Sequence, residues 1–220
     1  MKSIDHNYWA GYEGRDADNE NRDLRKAMQQ LYGRKGFDFG TVYDSFYDND
    51  RKNHCRPDGY STYTALDTNY VTKMPFRKKA VENNRELSER CYSLAGTIAG
   101  EIFFPCRRLN GQTVNQRRGG AEIKDMLHQT LESIKKYYAK ESDHYPIKET
   151  MERYGYFFDR FASFDEYIEY NLLQDHVLLP KKFPANEDEL VDFWKRSVEF
   201  LQARLRRIEE YAERNGLFDR

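Results

Sequence analysis

The chain has no run of ~18 apolar residues, so no membrane-spanning helix is expected. Nor does it open on an apolar stretch: Met1-Lys2-Ser3-Ile4-Asp5-His6 gives no secretory signal, and a cytoplasmic location is expected. It contains no CxxC pair. Its three cysteines, Cys55, Cys91 and Cys106, are odd in number and widely spaced, which fits free thiols in a reducing compartment and not a disulfide framework. It lacks a basic surplus as well: 36 Lys and Arg stand against 37 Asp and Glu, for a formal net charge of −1. A general polyanion binder is therefore excluded, while a local basic patch stays open.

Aromatic residues are abundant, with 17 Tyr, 14 Phe and 2 Trp. They compensate for a polar composition, 39 % hydrophobic and 33 % charged, by letting large rings fill a core beneath a charged surface. A length of 220 residues points to one domain, 1–220.

Along the chain, Asp18 to Tyr32 reads as a helix, with Leu24, Met28 and Leu31 on one face and Gly33 and Gly36 ending it. Phe37 to Asp50 reads as irregular with a short strand, Arg51 to Asp58 as a polar loop, and Tyr60 to Thr72 as a strand. Pro75 opens a helix to about Arg90. Tyr92 to Phe104 alternates like a strand, with Gly96 and Gly100 marking a bend or a close backbone approach; a helix with G-x-x-x-G spacing is the alternative. Asn110-Gly111 then signals a hairpin with a return strand from Gln112 to about Arg117. That register pairs Leu109 with Gln112, Cys106 with Asn115 and Phe104 with Arg117.

Beyond Gly119-Gly120 the period turns helical. Ile123, Met126, Leu127, Leu131, Ile134 and Tyr138 form one stripe. Pro146 opens a further helix that stops at Gly155. Ser163 with Glu166, and Asn186 with Glu189, make capping boxes for two more, one ending before Pro180 and one closing at Gly216. The last helix carries Leu190, Trp194, Val198, Leu201, Leu205, Ile208 and Ala212 as its apolar stripe. The expected fold is α+β: a small antiparallel sheet packed against a helical C-terminal half of about four helices, plus one or two N-terminal helices.

The segment Gln112 to Gly120, Gln-Thr-Val-Asn-Gln-Arg-Arg-Gly-Gly, is unusually polar for a link between a strand and an amphipathic helix. Asn115 and Arg117 would share a face with Phe104, where a polar group must be hydrogen-bonded or line a cavity. Backbone amides at Gly119 and Gly120 beside an arginine can hold an anion. The plainer reading is a turn whose Arg and Asn satisfy strand-end carbonyls. The segment is neither a Walker loop nor a dinucleotide fingerprint.

These residues carry a resemblance. Phe104-Pro105, Thr113-Val114-Asn115-Gln116 and Arg118-Gly119 resemble the strand end and Thr-Ile-Asn-Gln-Ala-Arg-Gly loop of an uncharacterised group of bacterial proteins, a domain of unknown function. The likeness continues through Ile123, Asp125, Thr130, Leu131, Glu132, Ile134 and Tyr138. It extends to Arg153, Tyr154, Phe157, Phe158, Phe161, Phe164 and Tyr167, and ends on Leu172-Leu173-Gln174-Asp175. It covers about the C-terminal 130 residues, 91–220, and sets residues 1–90 apart as a divergent part. Where the group has a small residue this chain has Arg117, so the resemblance favours Arg118 for a shared role. It implies a bacterial or phage-borne origin and no known activity.

Other constellations are weaker. Asp44, Asp48 and Asp50 near His54 and Cys55 mix hard carboxylates with a soft thiolate, a poorly matched metal set, and no metal is expected. No Ser or Cys sits in a nucleophile's setting, and Cys106 beside Arg107 and Arg108 reads better as a small buried filler than as an activated thiol. Asp175-His176 diverge too far on a helix to act as an acid–base pair. No cofactor is implied, no catalytic residue is assigned, and the residues do not decide between an enzyme and a binding protein.

Two functions compete. The first is a site for a phosphate-bearing ligand, a nucleotide or a nucleic-acid end. Asn115, Gln116, Arg118 and the amides of Gly119 and Gly120 would hold the anion, with Glu132, Arg153, Gln174 and Asp175 completing the pocket. The second is a non-enzymatic protein-interaction partner or inhibitor in bacterial or phage conflict, which an exposed aromatic patch within Phe37 to Tyr47 would support.

Overall fold

A computed structural model describes residues 4–11, 21–40, 53–59, 75–107, 109, 113–114, 117, 123 and 126–218. The strand expected over Tyr60–Thr72 and the turn at Asn110-Gly111 lie outside them, as do Asp44, Asp48 and Asp50. The architecture is α+β, with a two-stranded antiparallel sheet and a helical C-terminal half.

Helix α1, Arg22–Tyr32, begins where the Asn21 side chain accepts from the amides of Asp23 and Leu24, and it buries Leu24, Met28 and Leu31 as the spacing required. A short 3₁₀ turn, Gly33–Lys35, follows, and Gly36 reverses the chain at φ 74°. The next segment is clamped back onto α1. Arg25 donates to the Phe39 carbonyl (2.6 Å), and Gln29 donates to the Phe37 carbonyl (3.1 Å) while accepting from the Phe39 amide (2.9 Å).

The sheet corrects the sequence reading. Its first strand, β1, is Cys55–Gly59, in the stretch expected to be a polar loop, and it pairs with β2, Glu101–Pro105. Arg56 stands opposite Phe104 and Asp58 opposite Ile102. The Cys106 amide extends the ladder by donating to the His54 carbonyl (2.9 Å). The described residues of the return strand expected over Gln112–Arg117, which are Thr113, Val114 and Arg117, do not form a strand. Val114 and Arg117 are helical, and the Arg117 amide donates to the Thr113 carbonyl (3.2 Å), one helical turn back. Val114 is fully buried in the core, so this turn is anchored by packing.

The helix opened by Pro75 breaks at Asn84 into α2, Pro75–Asn83, and α3, Arg85–Ala95. The strand expected from Tyr92 is therefore helical as far as Ala95, then passes through a 3₁₀ turn, Ile98–Gly100, and is extended only from Glu101. Both glycines mark close approaches. A Cβ on Gly100 would lie 1.9 Å from the Ala95 carbonyl oxygen, and one on Gly96 2.0 Å from Asn7 Oδ1.

Helix α4 is Leu127–Tyr138, starting later than the stripe from Ile123 suggested, with Met126 as its N-cap. Ile123 precedes it in a turn and is fully buried. Helices α5, Lys148–Arg153, and α6, Gly155–Phe158, occupy the segment after Pro146. Helix α7, Phe164–Tyr170, is capped by Ser163 Oγ, which accepts from the Glu166 amide (3.1 Å). It stops well before Pro180, because Leu172 takes a left-handed φ of 54°. The last helix, α8, runs Glu187–Asn215; Asn186 caps it and Gly216 closes it at φ 60°.

Two apolar clusters result. The larger surrounds β2, where the Phe103 ring meets Tyr32, Phe37, Phe39 and Phe157 at centroid distances of 4.9, 5.0, 5.2 and 5.8 Å. The smaller joins Ala80 of α2 and Cys91 of α3 to Leu190, Phe193, Trp194 and Val198 of α8. Helix α8 serves both, since Leu201 and Ile208 lie in the larger. Within it, Arg204 is fully buried. Its guanidinium donates to the carbonyls of Ala99 and Glu101 (2.8 Å each), to Tyr32 Oη (3.2 Å) and to the Asn171 carbonyl (3.1 Å).

Leu201→Ala is expected to cost ~2–5 kcal/mol in chemical denaturation, through lost transfer energy and the cavity left behind. A change below about 0.5 kcal/mol would show the α8 stripe to be exposed. Arg204→Met should cost at least about 3 kcal/mol, because several buried acceptors lose their donor at once. Equal denaturation midpoints for Arg204→Met and the parent would refute that role.

Candidate functional site

Alternation along β1 sends successive side chains to opposite faces, and cross-strand partners share a face. His54, Arg56 and Asp58 therefore lie on the sheet face of Ile102, Phe104 and Cys106. His54 is 1 % exposed, Asp58 5 % and Arg56 half-buried. Three ionisable groups in a row on an inner sheet face are uncommon, and each is engaged by polar or electrostatic contacts. The sequence carries them as polar alternation at His54, Arg56 and Asp58, with no β-branched or aromatic residue between them to mark a strand.

The site continues past the end of β2. Tyr154 Oη donates to the Arg107 carbonyl (2.8 Å) and accepts from the Leu109 amide (3.1 Å), so the first turn of α6 fixes the chain leaving the strand. Here two buried polar atoms, Arg107 Nε and the Tyr156 hydroxyl, have no hydrogen-bond partner among the described residues. Burial pushes the Tyr156 phenol up, and Tyr154, Cys55 and Cys106 add to this while the Arg107 guanidinium opposes it. The phenol thus stays protonated, a neutral donor beside a permanent cation. Cys55, Cys91 and Cys106 are free and buried, and burial raises the Cys55 thiol well above its ordinary value, so no activated thiol is present at this point.

Of the residues expected to bind a ligand, Asn115, Gln116, Arg118, Gly119 and Gly120 lie outside the described residues. Helix α4 begins at Leu127, seven residues after Gly120 in the sequence. Arg153 is half-buried at the end of α5, next to Tyr154. Gln174 Oε1 is buried without a partner among the described residues. Asp175 is taken by a residue that sequence reasoning missed: Arg207 of α8 holds it through two bonds, Nε to Oδ2 at 2.9 Å and Nη2 to Oδ1 at 3.1 Å. Their separation along the chain hid the pair.

Glu132 is exposed on α4, one turn after His128. Burial, foremost, lowers the His128 pKa; Glu132 opposes this, and Lys181 and His176 reinforce it. No hydrogen bond or ion pair among the described residues joins Glu132, Arg153 and Gln174 to one another. Of the stretch Phe37 to Tyr47, where an exposed aromatic patch would support an interaction role, Phe37 and Phe39 lie in the core, while residues 41–47 are outside the described ones. Among the described residues no helix is long and apolar enough to cross a membrane.

The chain belongs to DUF6994, a family of unknown function whose model matches residues 3–208. The family therefore takes in α1, β1 and the other elements before residue 91, a wider span than the C-terminal resemblance suggested. No curated protein and no solved structure matches the chain.

A histidine held neutral by the fold binds fewer protons there than in the unfolded chain, where it titrates near its ordinary value of 6.5. Stability is then intact above that value and falls as the pH drops through it toward the lower folded-state pKa. His128→Gln should flatten the dependence of melting temperature on pH between about 7 and about 5. An unchanged slope would assign the dependence to other groups.

Proposed function

We propose that the protein binds a phosphate-bearing ligand, a nucleotide or a nucleic-acid end, where β2 runs out toward the Asn115–Gly120 segment. The observation that carries this reading is the pair of buried, unpartnered donors at that point, Arg107 Nε and the Tyr156 hydroxyl. A buried polar atom without a partner costs ~1–3 kcal/mol in the free protein. An anionic oxygen accepting from both would remove that cost, and a guanidinium is well suited to phosphate geometry. The sequence supports the same chemistry, since Asn115, Gln116 and Arg118 follow within a few residues and the composition has no basic surplus to explain them as a general polyanion surface.

A thermal-shift panel of nucleotides and short oligonucleotides, with mass spectrometry of any co-purified ligand, tests the reading. A ligand at 100 times its Kd should add ~2.7 kcal/mol of stability. Arg118→Ala and Arg107→Ala should abolish that increment while leaving the unliganded protein within about 1 kcal/mol of the parent. Loss of about 1–3 kcal/mol in the free protein with no change in ligand response would instead assign both arginines a structural role.

A further inference from the structure

A cavity lies away from β1 and β2, around the C-terminal end of α4. It has a volume of about 600 Å³ and is bounded by α4, the connection 139–147, α5 and the residues after α6. Its apolar surface is aromatic, from Tyr137, Tyr138, Tyr145 and Phe161. Its charges are the carboxylates of Glu141, Glu152 and Asp159 and the ammonium groups of Lys140 and Lys148.

The charges differ in how far they are already satisfied. Lys148 Nζ donates to the carbonyls of Ser142 and Asp143 and stands 4.0 Å from Glu152 Oε1. Glu141 is 3.5 Å from the Lys136 ammonium. Asp159 has no ion pair among the described residues; its Oδ1 accepts only the Tyr137 hydroxyl, at 2.7 Å. Gly155 preserves that contact, since a Cβ there would lie 3.1 Å from the Tyr137 hydroxyl and 3.5 Å from Asp159 Oδ2. A second polar group at the cavity is the Tyr145 hydroxyl. Tyr145 is only 3 % exposed, lines the cavity, and its hydroxyl makes no hydrogen bond with a described residue. Burial and then the nearby carboxylates of Glu152 and Glu141 raise its pKa, so it remains a neutral phenol able to accept a hydrogen bond.

The cavity already accommodates one cation of the chain's own. The Lys148 ammonium lies 5.7 Å from the centroid of the Tyr145 ring, and Lys136 approaches the same ring at 6.0 Å. Ring faces attract cations in this way, and the attraction grows when water is excluded. An uncompensated carboxylate, an unpartnered phenol and tyrosine rings make an environment that accepts hydrogen bonds and favours positive charge.

We propose that this cavity binds a guanidinium or alkylammonium group, with Asp159 as its counter-ion, the Tyr145 hydroxyl as an acceptor and Tyr137 and Tyr138 as aromatic walls. The group could arrive on a small free amine or on a basic side chain of a peptide segment. The site is independent of the proposed anion site.

Calorimetric titration of the full chain with agmatine, spermidine and an arginine-containing pentapeptide tests it, with the uncharged urea analogue of agmatine as control. Saturable binding of a cation is expected, weakened about tenfold or more by Asp159→Asn and by Tyr145→Phe, and unaffected by Arg107→Ala. Asp159 is exposed, so Asp159→Asn should leave the melting temperature of the free protein unchanged and separate lost binding from lost folding. Binding of the small amines would identify a free amine as ligand, and binding of the peptide alone a basic protein segment; both uphold the cation site. No saturable binding of any of the three, undiminished binding to Asp159→Asn, or equal binding of the uncharged analogue would overturn it.

Discussion

The guanidinium of Arg204 is the interaction on which the described fold turns. It is fully buried, and its planar fork meets acceptors from three chain segments far apart in sequence: the end of α1 at Tyr32, the entry to β2 at Ala99 and Glu101, and the turn after α7 at Asn171. Only arginine presents so many donors in one plane. Its neighbourhood is polar in a further way. The Glu101 side chain is fully buried and accepts from the Trp9 indole at 2.9 Å, while the Tyr8 amide donates to the Gly96 carbonyl at 2.7 Å. The N-terminal segment is thus tied to the same point as the last helix. Buried carbonyls that a small sheet leaves unpaired would otherwise be costly, and Arg204 supplies their donors.

Two strands of five residues do not make an independently stable sheet. This one persists because both of its faces are covered. Phe103 is enclosed by rings from α1, the 37–39 segment and α6, and Phe104 reaches Phe157 and Phe158 at 6.2 and 6.5 Å. Aromatic area stands in for the extra strands, which accounts for the high Tyr and Phe content of an otherwise polar chain.

Helices with strong local signals were legible in the sequence. Asn186 and Ser163 cap where their spacing to Glu189 and Glu166 indicated, and the α8 stripe is buried at Leu190, Trp194, Leu201, Ile208 and Ala212. The sheet was not, for a physical reason. Strand β1 is written Cys-Arg-Pro-Asp-Gly, without β-branched or aromatic residues, and becomes a strand only because β2 and the core impose it. The Asn110-Gly111 signal supplied a local partner for β2 in its place, whereas the true partner lies more than forty residues earlier. Of the candidate site, Asp175 is expected from the sequence to complete a ligand pocket, whereas its pairing with Arg207 is a long-range contact that spacing cannot express. The unpartnered Arg107 and Tyr156 leave no sequence signature at all, because being unsatisfied is a property of surroundings.

Helix α8 is one continuous rod that seats Trp194 in the smaller cluster and Arg204 in its socket of carbonyls. At 1.5 Å and 100° per residue, the stretch between them acts as a gauge of both length and rotation. A single added or deleted residue there would swing one anchor roughly 100° about the axis while the other stayed seated. Composition between the anchors is free to drift on the solvent side, but residue count is not. This stretch of α8 is therefore constrained in phase more than in identity, and a change of length is more readily absorbed in a connection than inside the rod.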